Sequence, residues 1–177
     1  MYIRAIAAGI LGAVLAAGGA AAQQTAPAAN PLDKVPEAMP FNTPYGAPIP
    51  LAKAEAAIKA AIDEATKRGW QLNVTVVDSG GNLVAFQRMD GAQLASIAIS
   101  QHKARAAATY RRPTKAFEAG IQLHGFNYIL TLDDVIASRG GIPLVEDGKL
   151  IGAIGCSGGT GSQDEAVCKT GAATINK

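Results

Sequence analysis

The chain has few of the residues on which metal centres and nucleic-acid surfaces depend. Its 177 residues include two cysteines and two histidines, and 16 basic side chains stand against 14 acidic ones. Nothing completes the four-ligand spacing of a structural zinc site. The balanced charge and the absence of a long basic run give no electrostatic footprint for DNA or RNA. We therefore exclude zinc proteins and nucleic-acid-binding proteins as classes.

A nucleotide-binding loop and a credible catalytic set are also missing. The glycine-rich segment after Cys156 lacks the Gly-Lys-Ser/Thr ending of a phosphate-binding loop, and no G-x-G-x-x-G precedes a helix. Residues 155–159 match the G-x-S-x-G pattern of a nucleophile elbow. However, a chain of this size with sequence-adjacent strands does not suit an α/β-hydrolase sheet. ATP and dinucleotides therefore have no positive support, and we discount the nucleophile-elbow match as a rival interpretation.

Two segments precede the predicted domain. Residues 1–22 have one early cation, an apolar stretch and an Ala-Ala-Ala site, which is typical of a cleaved secretory signal peptide. We expect a periplasmic or secreted protein of 155 residues, with 15 basic and 14 acidic side chains. Residues 23–50 hold most of the nine prolines and predict a flexible arm, whose Phe41 and Tyr45 could dock on the domain or on a neighbouring subunit. Residues 51–177 have the size of one domain.

Periodicity and turn chemistry predict an α+β fold for this domain. Residues 51–68 repeat apolar side chains at spacings of three and four and predict an amphipathic helix, while residues 92–110 predict an alanine-rich, largely buried one. Strands are expected in two hairpins, 70–78 with 83–89 and 142–145 with 149–156. Asp147-Gly148 supplies the positive φ that the second turn needs. The two hairpins give an antiparallel sheet of about four to five strands covered by helices.

The glycines of the last strand and of the loop after it suggest two kinds of close approach. Gly152 and Gly155 would let a backbone, a helix or a flat ligand come near the strand. Ser162 and Glu165 match the S-x-x-E capping box, which predicts a helix start there. Free N–H groups at such a start suit an anion, and glycines that merely form a turn are the alternative. The residues of this possible anion loop are Ser157, Gly158, Gly159, Thr160 and Ser162.

Several isolated residues have both a structural and a functional interpretation. His102, on an apolar helix face, is either a satisfied core histidine or an axial ligand. Arg111 and Arg112 close that helix and either complement its dipole or bind carboxylates. Cys156 and Cys168 form either a disulfide or two separate buried thiols.

The domain also carries short motifs in a defined order. They are VVDSGGNLVAFQRMDGA from Val76, Lys103-Ala104, Pro113-Thr114, GGIPL from Gly140, IGAIG from Ile151, SGG from Ser157 and QDE from Gln163. Their order and spacing resemble the GlcG/HbpS-like haem-binding family over nearly all of residues 51–177. The resemblance implies a profilin-like α/β sandwich that assembles as a homo-oligomer, commonly an octamer.

The same resemblance implies a ligand. Members bind haem or iron, haem degradation has been attributed to the family, and some exported members act with membrane sensor kinases in redox or iron stress. The axial ligand is histidine in some members and threonine in others. The implied candidates are His102, Thr109 and Thr114 for the iron, and Arg111 and Arg112 for the haem propionates. Cys156 replaces an aliphatic residue of the family, and this departure favours the disulfide.

Two functions from different classes follow. The first is an exported haem-binding oligomer that takes part in haem or iron handling or in redox sensing. The second is an enzyme or accessory protein that binds a small carboxylate at the glycine-rich loop. A plain oligomeric scaffold, in which the small residues serve only subunit packing, is the third possibility.

Overall fold

The computed structural model describes residues 29–176. The predicted signal peptide, residues 1–22, and the first residues of the arm lie outside that range. The chain divides into two units between Glu37 and Ala38, and the described part of the first contains a short 3-10 helix, Pro31–Asp33. None of the helices within residues 29–176 has the length and apolar character that a membrane span needs.

The second unit is a four-stranded antiparallel sheet with helices on both faces. Its helices are α1 (Leu51–Lys67), α2 (Ser96–Thr109), α3 (Lys115–His124) and α4 (Gly161–Ala172), with a 3-10 helix at Asn127–Thr131. Its strands are β1 (Asn73–Asp78), β2 (Leu83–Arg88), β3 (Gly141–Glu146) and β4 (Lys149–Ser157). The sheet order is β2-β1-β4-β3, and every neighbouring pair is antiparallel. The predicted α+β class and both hairpins are confirmed.

The sheet is the middle of three layers. Helix α2 lies against β1, β3 and β4, whereas α1 and α4 pack together on the opposite face. The alternation in β1 explains the arrangement: Val74 and Val76 enter the core under α1 and α4, while the Thr75 hydroxyl lies 2.9 Å from that of Ser100 in α2. Because both faces of β1 are covered, its alternate polar residues are buried as well.

Two glycines allow α2 to lie directly on the sheet. Gly141 in β3 and Gly155 in β4 are partners in the strand register. A Cβ atom at Gly155 would lie 2.5 Å from the backbone nitrogen of Ala104 and closer still to the carbonyl oxygen of Ser100. The predicted close approach at Gly155 is therefore confirmed, and the element that approaches is the α2 backbone.

The end of the proline-rich segment is packed on the domain. The carbonyl oxygen of Pro44 accepts the N–H of Leu150 at 2.8 Å, and the N–H of Gly46 donates back to the carbonyl oxygen of Leu150 at 2.7 Å. Ile49, 3% exposed, belongs to the core. The arm boundary expected at residue 50 thus falls inside the compact unit. Prolines did not prevent this pairing because they lack only the donor, and their carbonyl groups still accept.

Candidate functional site

Aromatic side chains converge on one cavity beside α3. The cavity has a volume of about 460 Å³, and Arg112 and His124 lie among its lining residues. The aromatic lining residues are Phe41, Tyr110, Phe117, Phe126 and Tyr128. The whole chain has one Trp, four Tyr and four Phe, so more than half of its aromatic residues line this one cavity. The volume lies within the range of small-molecule sites, roughly 300–1,000 Å³.

Local sequence explains how the cavity wall forms. Gly125, at φ 66°, ends α3 with the left-handed conformation that glycine adopts readily, and the chain turns back. The rings of His124 and Phe126 then lie 5.5 Å apart, and those of Phe126 and Tyr128 lie 6.0 Å apart, tilted by about 30° in each case. The alternate residues of this short segment therefore present a continuous row of rings to the cavity.

Arg112 brings a positive charge to this cavity. Its guanidinium carbon lies 3.6 Å from the ring centre of Phe41 and 5.5 Å from that of Phe117, within the range of cation–π attraction. Burial is the main reason why the pKa of Arg112 is lowered from its ordinary value, and no carboxylate in residues 29–176 contributes to the shift. Its Nε donates to the Tyr110 carbonyl oxygen at 3.0 Å. The cavity thus combines apolar walls with a cation that no carboxylate of the described residues neutralises.

The two histidines differ sharply in accessibility. His102 lies on α2 one turn before Ala106, which packs with Phe117 and Ile129. Its Nε2 atom is buried and has no hydrogen-bond partner in the described part of the chain. His102 is not among the residues that line the aromatic cavity, whereas His124 is exposed and does line it. The histidine predicted as an iron ligand is therefore half-buried, and its Nε2 atom is buried.

The other predicted ligand residues have separate environments. Thr109 donates its hydroxyl to the Arg105 carbonyl oxygen at 2.9 Å and borders a different hollow beside Tyr45. Thr114 is fully buried, and its Oγ1 accepts the N–H of Gly141 at 2.9 Å. Arg111 donates to the Thr43 carbonyl oxygen at 3.2 Å. Of the five predicted haem-binding residues, Arg112 alone is a lining residue of the aromatic cavity as the structure describes it.

At the glycine-rich loop, side chains of the chain itself accept the backbone N–H groups that an anion would need. The N-cap of α4 is Thr160, whose Oγ1 accepts the N–H of Gln163 at 3.3 Å, while the Gln163 side chain accepts the N–H of Thr160 at 2.8 Å. The predicted Ser162–Glu165 capping box is therefore wrong, because α4 begins at Gly161 and Ser162 already lies inside it. An anion at this loop would have to displace these side chains.

A buried ion pair joins α2 to the start of α4. Lys103 Nζ lies 2.7 Å from Asp164 Oδ2, with the two side chains 1% and 3% exposed. Lys103 also donates to the Cys156 carbonyl oxygen at 3.2 Å, and Asp164 accepts the N–H of Gly159 at 3.0 Å. Burial raises the pKa of Asp164 above its ordinary value, although the Lys103 charge opposes this shift. The sequence does not predict this pair, because a lysine in an alanine-rich helix is usually a surface residue.

The two cysteines form a disulfide between β4 and α4. Cys156 and Cys168 are fully buried, with Cα atoms 5.7 Å apart, and this outcome confirms the disulfide against separate thiols. No cluster of three or more His, Cys, Asp or Glu side chains that could hold a metal occurs in residues 29–176.

Comparison with known proteins places the chain in a family. A family model described as haem degrading protein HbpS-like matches residues 49–173. The chain belongs to this family. Protein GlcG of Escherichia coli K12 is 43% identical over 104 residues, which cover 59% of this chain and 77% of that protein. An uncharacterized 15.0 kDa protein of Citrobacter freundii is 36% identical over 128 residues, or 70% of this chain and 89% of that one.

Solved structures agree with the family and with the fold. A PduOC:heme complex is 28% identical with a TM-score of 0.65, covering 73% of this chain and 96% of that chain. A double mutant of Streptomyces reticuli HbpS is 27% identical with a TM-score of 0.69, covering 81% of this chain and 97% of that chain. The predicted family and the predicted sandwich of helices on an antiparallel sheet are confirmed.

Proposed function

We propose that this chain is a haem-binding protein and that the aromatic cavity beside α3 is its haem site. The observation that carries the proposal is the position of Arg112 at a cavity with aromatic walls, without a carboxylate partner in residues 29–176. A ligand that satisfies both features is flat, largely apolar and anionic at one edge. The haem of the related PduOC complex has this chemistry.

The residues at the cavity fit haem in three respects. Aromatic rings supply apolar surface for the macrocycle. The guanidinium of Arg112 has N–H groups beyond its Nε, which could donate to a propionate in a charge-assisted hydrogen bond. His124 offers an imidazole, the commonest axial donor to haem iron. Bound haem would supply redox-active iron, while the chain would hold it and exclude water from its faces.

The test is an absorbance titration of residues 23–177 with haemin. We expect a saturable Soret shift, and Arg112→Gln should weaken the affinity by about 10- to 100-fold, because a hydrogen bond to a charged group contributes roughly 1.5–3 kcal/mol. Arg111→Gln is the matched control, since Arg111 binds the Thr43 carbonyl oxygen and lies 5.3 Å from the Tyr45 ring instead. A titration that never saturates would refute haem binding. Equal losses in the two variants would remove the cavity from the proposal.

Export and assembly complete the proposal. The amino-terminal pattern of residues 1–22 supports secretion, and the exposed leucines around the cavity, Leu123, Leu130 and Leu132, offer apolar surface for a homo-oligomer. In that setting the protein would handle haem or iron outside the cytoplasm, with a membrane sensor as a potential partner. A fractionated culture in which the mature amino terminus is not Gln23 would contradict cleavage, and a monomeric mass by light scattering would contradict assembly.

A further inference from the structure

We infer that His124 at the end of α3, and not His102 of α2, is the axial ligand of the iron. This inference rests on the proposed haem function, and it names the residue that the chain contributes to the metal. The chain has only these two histidines, so the choice between them decides whether imidazole ligation takes place at the aromatic cavity or at α2.

Accessibility favours His124. An axial ligand must present a nitrogen lone pair to a space that admits the face of a macrocycle. His124 is exposed and lines the cavity of about 460 Å³. The Nε2 atom of His102, by contrast, is buried, and His102 does not line this cavity.

The surroundings of His124 also orient its ring. The ring lies 5.5 Å from that of Phe126 at an angle of 31°, and Gly125 at φ 66° fixes the backbone between the two residues. Contact with a neighbouring ring restricts the rotation of the imidazole, so less side-chain entropy is lost when it binds a metal. Arg112 lines the same cavity, so the cavity has both an imidazole and a cation for the two polar parts of haem.

Iron-free protoporphyrin IX separates ligation from cavity binding, because it keeps the macrocycle and the propionates but lacks the metal. For the chain of residues 23–177, we expect His124→Ala to weaken haemin at least tenfold, to shift the Soret maximum and the EPR spectrum, and to leave the protoporphyrin IX affinity within about twofold. Added imidazole should restore the spectrum. His102→Ala, the matched control, should leave the spectrum and both affinities within the same twofold range, and a thermal melt will verify that it is folded.

The outcomes distinguish the two levels of the proposal. If the wild-type chain binds neither haemin nor protoporphyrin IX, the haem function fails, and the inference fails with it. If the wild-type chain binds haemin but His124→Ala keeps the affinity and spectrum, the inference alone is overturned. Loss of the axial spectrum in folded His102→Ala, with His124→Ala unchanged, would assign the iron to α2 instead. If His124→Ala weakens the affinity for haemin and for protoporphyrin IX equally, His124 contacts the macrocycle and does not ligate the iron, and the inference is overturned.

Discussion

Replacing Lys103 by methionine should destabilise the domain strongly, because it leaves the Asp164 carboxylate buried without its counter-ion. The two side chains are 1% and 3% exposed, and Nζ lies 2.7 Å from Oδ2. Removal of one member of a buried pair costs about 3–5 kcal/mol. Asp164 would retain the Gly159 N–H as a donor, which favours the lower end of this range. A loss of about 3 kcal/mol corresponds to a fall in Tm of roughly 10 °C for a domain of this size.

The sign of the pH dependence gives a second check on the same variant. Burial already raises the pKa of Asp164 in the folded protein, and loss of the Lys103 charge should raise it further. The folded variant then binds a proton that the unfolded chain has released, so its free energy of unfolding falls as pH rises above the unfolded pKa of Asp164. Lys103→Met should therefore lose less stability relative to wild type at pH 5 than at pH 7.

A double-mutant cycle measures the interaction between Lys103 and Asp164. The free energy of unfolding in urea is compared for wild type, Lys103→Met, Asp164→Asn and the double variant. Asparagine keeps an oxygen acceptor for the Gly159 N–H, so the double variant removes both charges and should recover most of the loss of Lys103→Met. A cost below about 1 kcal/mol for Lys103→Met at pH 7, or a double variant no more stable than this single one, would contradict the buried pair.

Two further predictions concern the supports of the site. Hydrogen bonds from Arg139 lower the pKa of Glu118 in α3, so their stabilisation is present above the unfolded pKa and is lost as pH falls through the folded pKa. Glu118→Gln should therefore lower the free energy of unfolding by about 1 kcal/mol at pH 7. This difference from wild type should disappear as the unfolding series is extended to acid pH, whereas that of the exposed control Glu55→Gln should not change. Gly155→Ala should cost more than about 2 kcal/mol because its Cβ would meet the α2 backbone. Gly148→Asn is the control: the space around Gly148 is open and asparagine tolerates its φ of 72° better than most residues, so it should cost less than about 1 kcal/mol in thermal melts; equal effects would argue against the contact.

Elements set by local chemistry were predictable from the sequence. The three-and-four spacing of residues 51–68 matches α1 within one residue of its end. Asp147 and Gly148 adopt φ of 50° and 72° at the β3–β4 turn, as the Asp-Gly pair requires. In each case the decisive interactions lie within a few positions along the chain, so the pattern itself carries the information.

The helix start after the glycine loop shows where local chemistry becomes ambiguous. Thr160 with Gln163 and Ser162 with Glu165 both satisfy the capping-box pattern, two residues apart. Contacts from other parts of the fold favour the first. Lys115 Nζ lies 3.7 Å and Arg139 Nη1 lies 3.6 Å from the carboxylate of Glu165, which is therefore engaged by residues outside α4. Such contacts between distant elements leave no trace in a four-residue window.

The aromatic cavity was beyond prediction for the same physical reason. Its lining comes from the arm, the end of α2, α3 and the following 3-10 helix, so no single periodicity marks it. One signal was present in the sequence, since His124, Phe126 and Tyr128 are ring residues at alternate positions. The alternation does not predict a cavity by itself, because the rings line one only after Gly125 has turned the chain toward the Arg112 guanidinium. Phe41, which lies closest to that guanidinium, comes before the stretch that matches the family model. The ligand preference of this chain can therefore differ from that of relatives with the same sheet, because the cavity depends on a segment outside the shared domain.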